Sequence, residues 1–230
     1  MSKEEMVKAV VEALKVNKIR DGYVRIVVTR GVGDLGLDPR KCPRPTVIII
    51  ADAIQIYDTG AKEKGLTAII SSIRRDSVDA TSHEAKTLNY LNSILAKIEA
   101  NNAGVDEAIM LDHRGFVSEG TGDNIFIVKD GVVYTPPRTA GILPGITRAC
   151  VIQLCKELGV RVVEKDITVV ELYTADEVFV TGTAAEVMPI TVINGRPIGD
   201  GRPGPITRRL MDEFRRLTRD PRNGVVVDYD

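Results

Sequence analysis

Two dipeptides constrain the fold of this chain more than any other feature. Asp130-Gly131 and Asn194-Gly195 adjoin runs rich in β-branched residues, and such pairs supply the positive φ angles of a tight two-residue turn. Asn124 to Val128 and Val132 to Thr135 therefore read as the arms of a hairpin. Asn194-Gly195 reads as the turn that ends a strand over 187–193. Further strands are predicted at Tyr23 to Thr29, 46–52, 66–74, 161–167 and 176–181, and 106–135 reads as short antiparallel strands. Helices are few. Ser2 and Glu5 make a capping-box pattern ahead of Met6, Val7, Val10, Val11 and Leu14, which predicts an amphipathic helix over 3–17. Leu88, Leu91, Ile94, Leu95 and Ile98 predict another over 84–101. A third is expected from 147 to 158, stopped by Gly159, and a last from Thr207 to Leu217. Strands joined by turns and interrupted by few helices make an α+β fold, not a doubly wound parallel sheet. Gly31, Gly33, Gly36 and Pro39 read as loop or linker. The expected organisation is a small N-terminal piece over 1–52 and a larger domain over 53–230.

Composition removes several classes of function. With 43% hydrophobic and 27% charged residues, disorder and coiled coil are excluded. The 31 Lys+Arg are offset by 32 Asp+Glu, so no basic excess points to nucleic acid or an anionic membrane. Arg74-Arg75 and Arg208-Arg209 read as solvated surface. The cysteines, Cys42, Cys150 and Cys155, lack CxxC spacing and argue against a disulfide framework; Cys150 and Cys155 read as small core hydrophobes. His83 and His113 are too few for a His-rich metal site, and no metal is expected. Thr46 to Ile50, the longest apolar run, is far too short to span a bilayer. The charged start lacks a signal-peptide apolar core, so a reducing cytoplasm is the simplest location.

Several places could carry chemistry. Lys86, in Glu84-Ala85-Lys86-Thr87-Leu88-Asn89-Tyr90, is expected at the positive end of the 84–101 helix, where a charged lysine is disfavoured and an amine can act as a nucleophile. Tyr90 lies one helical turn on, on the same face. Ser118 to Asn124 places Glu119 among glycines that let backbone approach a ligand, and the carboxylate could partner a protonated ring nitrogen. Leu143-Pro144-Gly145-Ile146-Thr147-Arg148 precedes a helix whose free N–H groups suit a phosphate. Thr181-Gly182-Thr183-Ala184-Ala185-Glu186 describes a second anion-binding turn. Taken singly, each also reads as something plain: a solvated lysine, a polar turn, a helix start and a tight turn. Together they supply an amine, a phenol, a carboxylate and phosphate-type turns, which is what pyridoxal 5′-phosphate (PLP) requires.

Lys86 to Asn92, Ser118 to Asn124, Leu143 to Arg148 and Gly182 to Glu186 resemble, in that order, the motifs of the class IV aminotransferases, and most closely the branched-chain-amino-acid type. The similarity runs from about residue 3 to 218. It implies a fold-type IV PLP enzyme, like the D-amino-acid aminotransferases in architecture, with a β-rich large domain. Lys86 would hold the cofactor as an imine and shuttle the substrate proton. Tyr90 would bond the phenolic oxygen, and Glu119 would keep the pyridine nitrogen protonated. Ile146, Thr147 and Thr183 would hold the phosphate, and Leu143 would pack on the ring. Thr183 and Ala184 would meet the substrate carboxylate. Tyr23 and Arg25 would receive the substrate side chain, Arg25 accommodating the glutamate carboxylate. The substrates implied are small amino acids (leucine, isoleucine, valine) and 2-oxo acids, and the assembly at least a homodimer.

D-amino-acid aminotransferase and aminodeoxychorismate lyase are the competing relatives; Tyr90, Ala184-Ala185, Tyr23 and Arg25 favour the branched-chain type. The same resemblance implies a further N-terminal stretch of roughly 50–70 residues, carrying a glycine-rich segment and a phosphate-binding arginine. The expectation is therefore an incomplete small domain and weakened PLP binding, with a weakly active or silent PLP-binding module as the alternative reading.

Overall fold

The computed structural model describes residues 1–54, 57 and 60–229. The chain forms two compact units, Met1–Gln55 with Gly224–Asp230, and Ile56–Asn223. In the first unit, α1 (Lys3–Asn17) starts on the expected capping box: Ser2 Oγ accepts from the Glu5 N–H, and the Glu5 carboxylate accepts from the Ser2 N–H. Lys18, in the left-handed region at φ 56°, ends the helix. β1 (Tyr23–Thr29) pairs antiparallel with β2 (Thr46–Asp52), Tyr23 opposite Asp52 and Thr29 opposite Thr46. α1 packs on β2. The C-terminal residues return to this unit, where the Tyr229 hydroxyl bonds the Ile19 carbonyl and Arg20 stacks on the Tyr229 ring.

The second unit runs α2 (Ala61–Lys64), β3 (Leu66–Arg74), α3 (Leu91–Asn102), β4 (Glu107–Leu111), β5 (Asn124–Lys129), β6 (Val132–Thr135), α4 (Ile146–Glu157), β7 (Val162–Glu164), α5 (Val169–Tyr173), β8 (Glu177–Gly182), β9 (Glu186–Ile193), β10 (Arg196–Pro197) and α6 (Pro205–Arg219). The main sheet has the order β4-β3-β9-β8-β5-β6-β7, with β10 paired to β9. Its centre is antiparallel, as the turn pairs require. Asp130 and Gly131 both have positive φ, as do Asn194 and Gly195, the signature of a hairpin turn whose twist matches its strands. The flanks differ from expectation: β4 runs parallel to β3, β3 parallel to β9 and β7 parallel to β6. Region 106–135 is thus not all antiparallel, because α3 between β3 and β4 makes the crossover that a parallel pair needs. The strand expected over 161–167 shortens to β7.

Both faces of the central strands are covered, so β5 and β8 read as continuous apolar runs and not as an alternation. Ile125 and Ile127 join one core with Val178, Val180 and Ile190, while Phe126 and Val128 enter another with Phe179, Leu210 and Phe214. Phe126 and Phe179 stack at 4.9 Å between centroids, and full burial of each such side chain contributes about 1.5–3 kcal/mol. α4 and α6 seal this second face. The start of α6 is capped from the sheet, where buried Glu177 accepts from the Ile206 and Thr207 N–H groups and the Thr207 hydroxyl. α4 ends as expected at Gly159, φ 71°. Of the cysteines, Cys155 is fully buried, and burial pushes its thiol up to about 11. No helix among the described residues is long and apolar enough to cross a membrane.

α3 packs the opposite way from an ordinary amphipathic helix. It buries Ser93, Ala96 and Ala100 against the sheet, which lets the backbones approach closely. Its large side chains, Leu91, Ile94, Leu95 and Ile98, are 42–62% exposed, and Leu88 just before it is 63% exposed.

Candidate active site

The helix expected over 84–101 begins only at Leu91, with Tyr90 as its N-cap. Lys86 therefore sits in an exposed loop, not on the first turn. Local bonds explain the delay: the Thr87 N–H reaches the Ala85 carbonyl at 2.9 Å, and the Asn89 N–H reaches Thr87 Oγ1 at 3.3 Å. These compete with helical bonding, as threonine side chains do near helix starts. The loop nonetheless brings the two groups together, with Lys86 Nζ donating to the Tyr90 hydroxyl at 2.6 Å. At the base of the loop His83 Nε2 stands 3.2 Å from Asp76 Oδ2.

Glu119 lies between β4 and β5, bridged antiparallel to Asn124. It is 4% exposed, and three groups hold it. Arg75 Nη2 meets Oε1 at 2.6 Å. The Leu143 N–H and Asn124 Nδ2 both donate to Oε2 at 3.0 Å. Burial pushes the carboxyl up to about 7, while Arg75, the Leu143 N–H, Lys86 and Arg148 pull it the other way. The group is therefore poised between carboxylate and acid near neutral pH.

Arg75 is a correction to the sequence reading. It is 8% exposed, not solvated. Its other donors are fixed on the Ser93 hydroxyl at 2.9 Å and the Gly141 carbonyl at 3.2 Å, so the guanidinium cannot turn away from Glu119. Its position directly after β3 is the only trace in the sequence, and that does not distinguish it from Arg74.

Asn124 links Glu119 to the start of α4. The same Nδ2 that bonds Glu119 also donates to the Leu143 carbonyl at 2.8 Å. Its Oδ1 lies 2.1 Å from where a Cβ on Gly145 would stand, so any side chain there must displace Asn124. Gly145 is the N-cap and no side chain caps α4, which leaves the first-turn N–H groups of Ile146 and Thr147 facing outward at the positive end of a helix. Thr147 is buried and Ile146 exposed. Arg148 points elsewhere, to the Pro136 carbonyl and Glu164.

The turn between β8 and β9 completes the group. Gly182 pairs with Glu186, and Glu186 sits in the left-handed region at φ 58°, held by contact with Lys62. A Cβ on Gly182 would lie 3.5 Å from Asp123 Cβ and 3.7 Å from the Gly122 carbonyl oxygen. Thr183 is exposed and Ala184 half-buried at its tip. The turn after Glu119 and the turn at Thr183 are thus neighbours. Tyr23 and Arg25 stand on β1 in the first unit, Tyr23 half-buried and Arg25 exposed opposite Ile50.

The donor set fits PLP: an amine beside a phenol, a buried carboxyl able to ionise against a ring nitrogen, and an uncapped helix start whose N-cap carries no side chain. Among the described residues, no cluster of His, Cys, Asp or Glu is arranged to hold a metal.

Known proteins similar to this chain identify its family. Residues 1–193 match the family model of amino-transferase class IV. A Methanocaldococcus jannaschii protein provisionally named a branched-chain-amino-acid aminotransferase is 56% identical over 215 residues, 94% of this chain and 74% of that protein. The branched-chain-amino-acid aminotransferase of Escherichia coli K12 is 40% identical over 92% of this chain and 69% of its own length. Its crystal structure superimposes with a TM-score of 0.91, covering 94% of this chain and 72% of that one. The branched-chain amino acid aminotransferase of Thermobaculum terrenum, solved in its PLP-form, gives 0.82 at 35% identity, over 97% of this chain and 73% of that one.

Proposed function

The chain belongs to the class IV aminotransferases, and from that premise we propose that it is a PLP-dependent branched-chain-amino-acid transaminase, moving the amino group of leucine, isoleucine or valine to 2-oxoglutarate. The observation that carries the reading is Glu119: a buried carboxyl fixed on three sides, with Lys86 close enough to act on its charge. PLP, when bound, supplies an electron sink for the substrate α-carbon.

The protein's part is binding, placement and proton movement. Lys86 Nζ is the attachment point and the base that moves the α-proton. The Tyr90 hydroxyl, already on Nζ, orients that amine. Glu119 as a carboxylate holds a proton on the ring nitrogen, and Arg75 keeps the carboxylate charged and aimed. The N–H groups of Ile146 and Thr147, with the Thr147 and Thr183 hydroxyls, bind the phosphate. Leu143 would pack on the ring, and the Ala184 N–H with the Thr183 backbone would receive the substrate carboxylate. The names of the aligned relatives support the substrate class.

A dimer at least belongs to this reading, supported by the exposed apolar row Leu88, Leu91, Ile94, Leu95 and Ile98. So does a cytoplasmic location, supported by unbridged Cys42, Cys150 and Cys155. The test is transfer of label from ¹⁵N-L-leucine to glutamate by the PLP-loaded protein, with parallel-line ping-pong kinetics. Transfer from D-alanine in place of L-leucine would overturn the substrate assignment.

A further inference from the structure

Beneath Glu119 lies a second group of acids that the reaction does not use. Asp123 is 7% exposed and Glu107 3%. Between them stands the Tyr57 hydroxyl, 3.1 Å from Asp123 Oδ2 and 3.5 Å from Glu107 Oε2. A phenol has one hydrogen to donate, so it serves one carboxyl at a time. Burial and the two acids push the Tyr57 phenol far above its ordinary value, which keeps that hydrogen in place.

The two acids are provided for unequally. Glu107 Oε1 accepts from the Ala108 N–H at 2.8 Å, the Thr121 N–H at 3.0 Å and the Thr121 hydroxyl at 2.7 Å. Lys97 Nζ stands 3.8 Å from its Oε2. Asp123 has the Tyr57 hydroxyl on Oδ2, and its buried Oδ1 has no hydrogen-bond partner. A buried carboxylate so poorly supplied, next to a well-supplied one, takes the proton. Asp123 also closes the turn that presents Glu119. Its carbonyl accepts the Gly120 N–H at 2.8 Å, and its Oδ1 lies 2.1 Å from where a Cβ on Gly120 would stand.

We infer that Asp123 is a positioning residue for Glu119 that works as the neutral acid, closing the 119–124 turn while keeping a second negative charge away from Glu119. The groups that face it are Tyr57, Glu107 from β4, Glu119 and, from α3, Lys97. Burial first, and then Glu107, hold its carboxyl well above the usual carboxylate range. The sign follows: stability from this group is full below the ordinary carboxyl range and is lost as pH rises through its folded value. Ionised Asp123 would also raise the cost of an ionised Glu119, so PLP binding should weaken over the same alkaline range. This second half rests on the reading of Glu119 given above.

The experiment compares the full chain with Asp123→Asn, the neutral isostere, and Asp123→Ala. Melting of the ligand-free proteins is followed from pH 6 to 9.5. The wild type should lose melting temperature as pH rises, Asp123→Asn should melt above it at pH 6 and hold steady above pH 7, past the decline that Glu119 supplies, while the wild type goes on losing, and Asp123→Ala should melt below Asp123→Asn throughout. An Asn variant that melts as low as the Ala variant at pH 6 overturns the proton assignment. PLP titrations then test the link to Glu119. Asp123→Asn should bind within about twofold of wild type at pH 7 and, unlike wild type, keep that affinity at pH 9. In a Glu119→Gln background the Asn substitution should no longer alter the pH dependence. A persisting effect there overturns the positioning role while leaving the proton assignment standing. Failure of every chain to bind PLP would instead strike the reading of the site.

Discussion

Replacing Arg75 with methionine tests the electrostatic design of the site. The substitution keeps an apolar stem and removes the charge 2.6 Å from Glu119, in a pair where both partners are under a tenth exposed. Breaking a buried pair from one side costs about 3–5 kcal/mol, because the remaining charge is stranded. Here the cost should depend on pH. Glu119 in the wild type titrates near 7, so its contribution to stability declines as pH rises from the ordinary carboxyl range to about 7 and then levels. Without Arg75 the carboxyl titrates higher still, and the decline continues past 7 at up to about 1.4 kcal/mol per pH unit. Below pH 7 the gap should be about 1–3 kcal/mol, from the acceptors left on Ser93 and Gly141. At pH 8 it should reach about 2–4 kcal/mol, or roughly 4–16 °C in melting temperature for a chain of this size. Urea unfolding of the ligand-free proteins at pH 6 and 8 measures both gaps. Parallel curves at the two pH values, or a gap under about 1 kcal/mol at pH 8, would refute the reasoning and make Arg75 a packing residue.

Three other substitutions address single contacts. Lys86→Ala should abolish borohydride-trappable attachment of PLP with melting temperature unchanged within about 2 °C, since an exposed loop residue carries little stability; label trapped on Lys97 would contradict the assignment. Glu119→Gln should cut transamination by about two or more orders of magnitude while PLP affinity changes less, because a neutral amide cannot stabilise a protonated ring nitrogen; near-normal turnover would reduce Glu119 to a turn residue. Gly145→Ala must displace Asn124, whose Oδ1 would sit 2.1 Å from the new Cβ, so stability should fall by about 1–3 kcal/mol and PLP affinity at least about tenfold; wild-type affinity in an equally stable variant would show that the start of α4 does not bind phosphate.

Sequence signals are legible here where they act locally. The capping box of α1 and the turns at Asp130-Gly131 and Asn194-Gly195 need only neighbouring residues, and each appears where expected. The start of α3 differs from its spacing because Leu88 continues a helical pattern that the bonds of Thr87 and Asn89 interrupt. The apolar row on α3 also suggests a buried face, whereas the buried residues are the small ones between. Parallel pairing of β3 with β4 depends on how a crossover packs, which spacing does not encode. Among site residues, Lys86, Tyr90, Glu119 and Thr147 stand out by residue type and placement. Arg75 does not, because its burial comes from Ser93, Gly141 and Glu119 converging from distant parts of the chain. Tyr57, Glu107 and Asp123 escape notice for the same reason.

The central claim is that Lys86 and Glu119 make this chain an aminotransferase for branched-chain substrates, and the half-reaction tests it most directly. The absorbance of the PLP-loaded protein is recorded while L-leucine is added with no oxo acid present. The visible band of the lysine-bound cofactor should bleach as the amino group is parked on it, and 2-oxoglutarate should restore it, in wild type and in neither Lys86→Ala nor Glu119→Gln at a comparable rate. A band that L-leucine leaves unchanged in a protein shown to hold PLP on Lys86 would contradict the account.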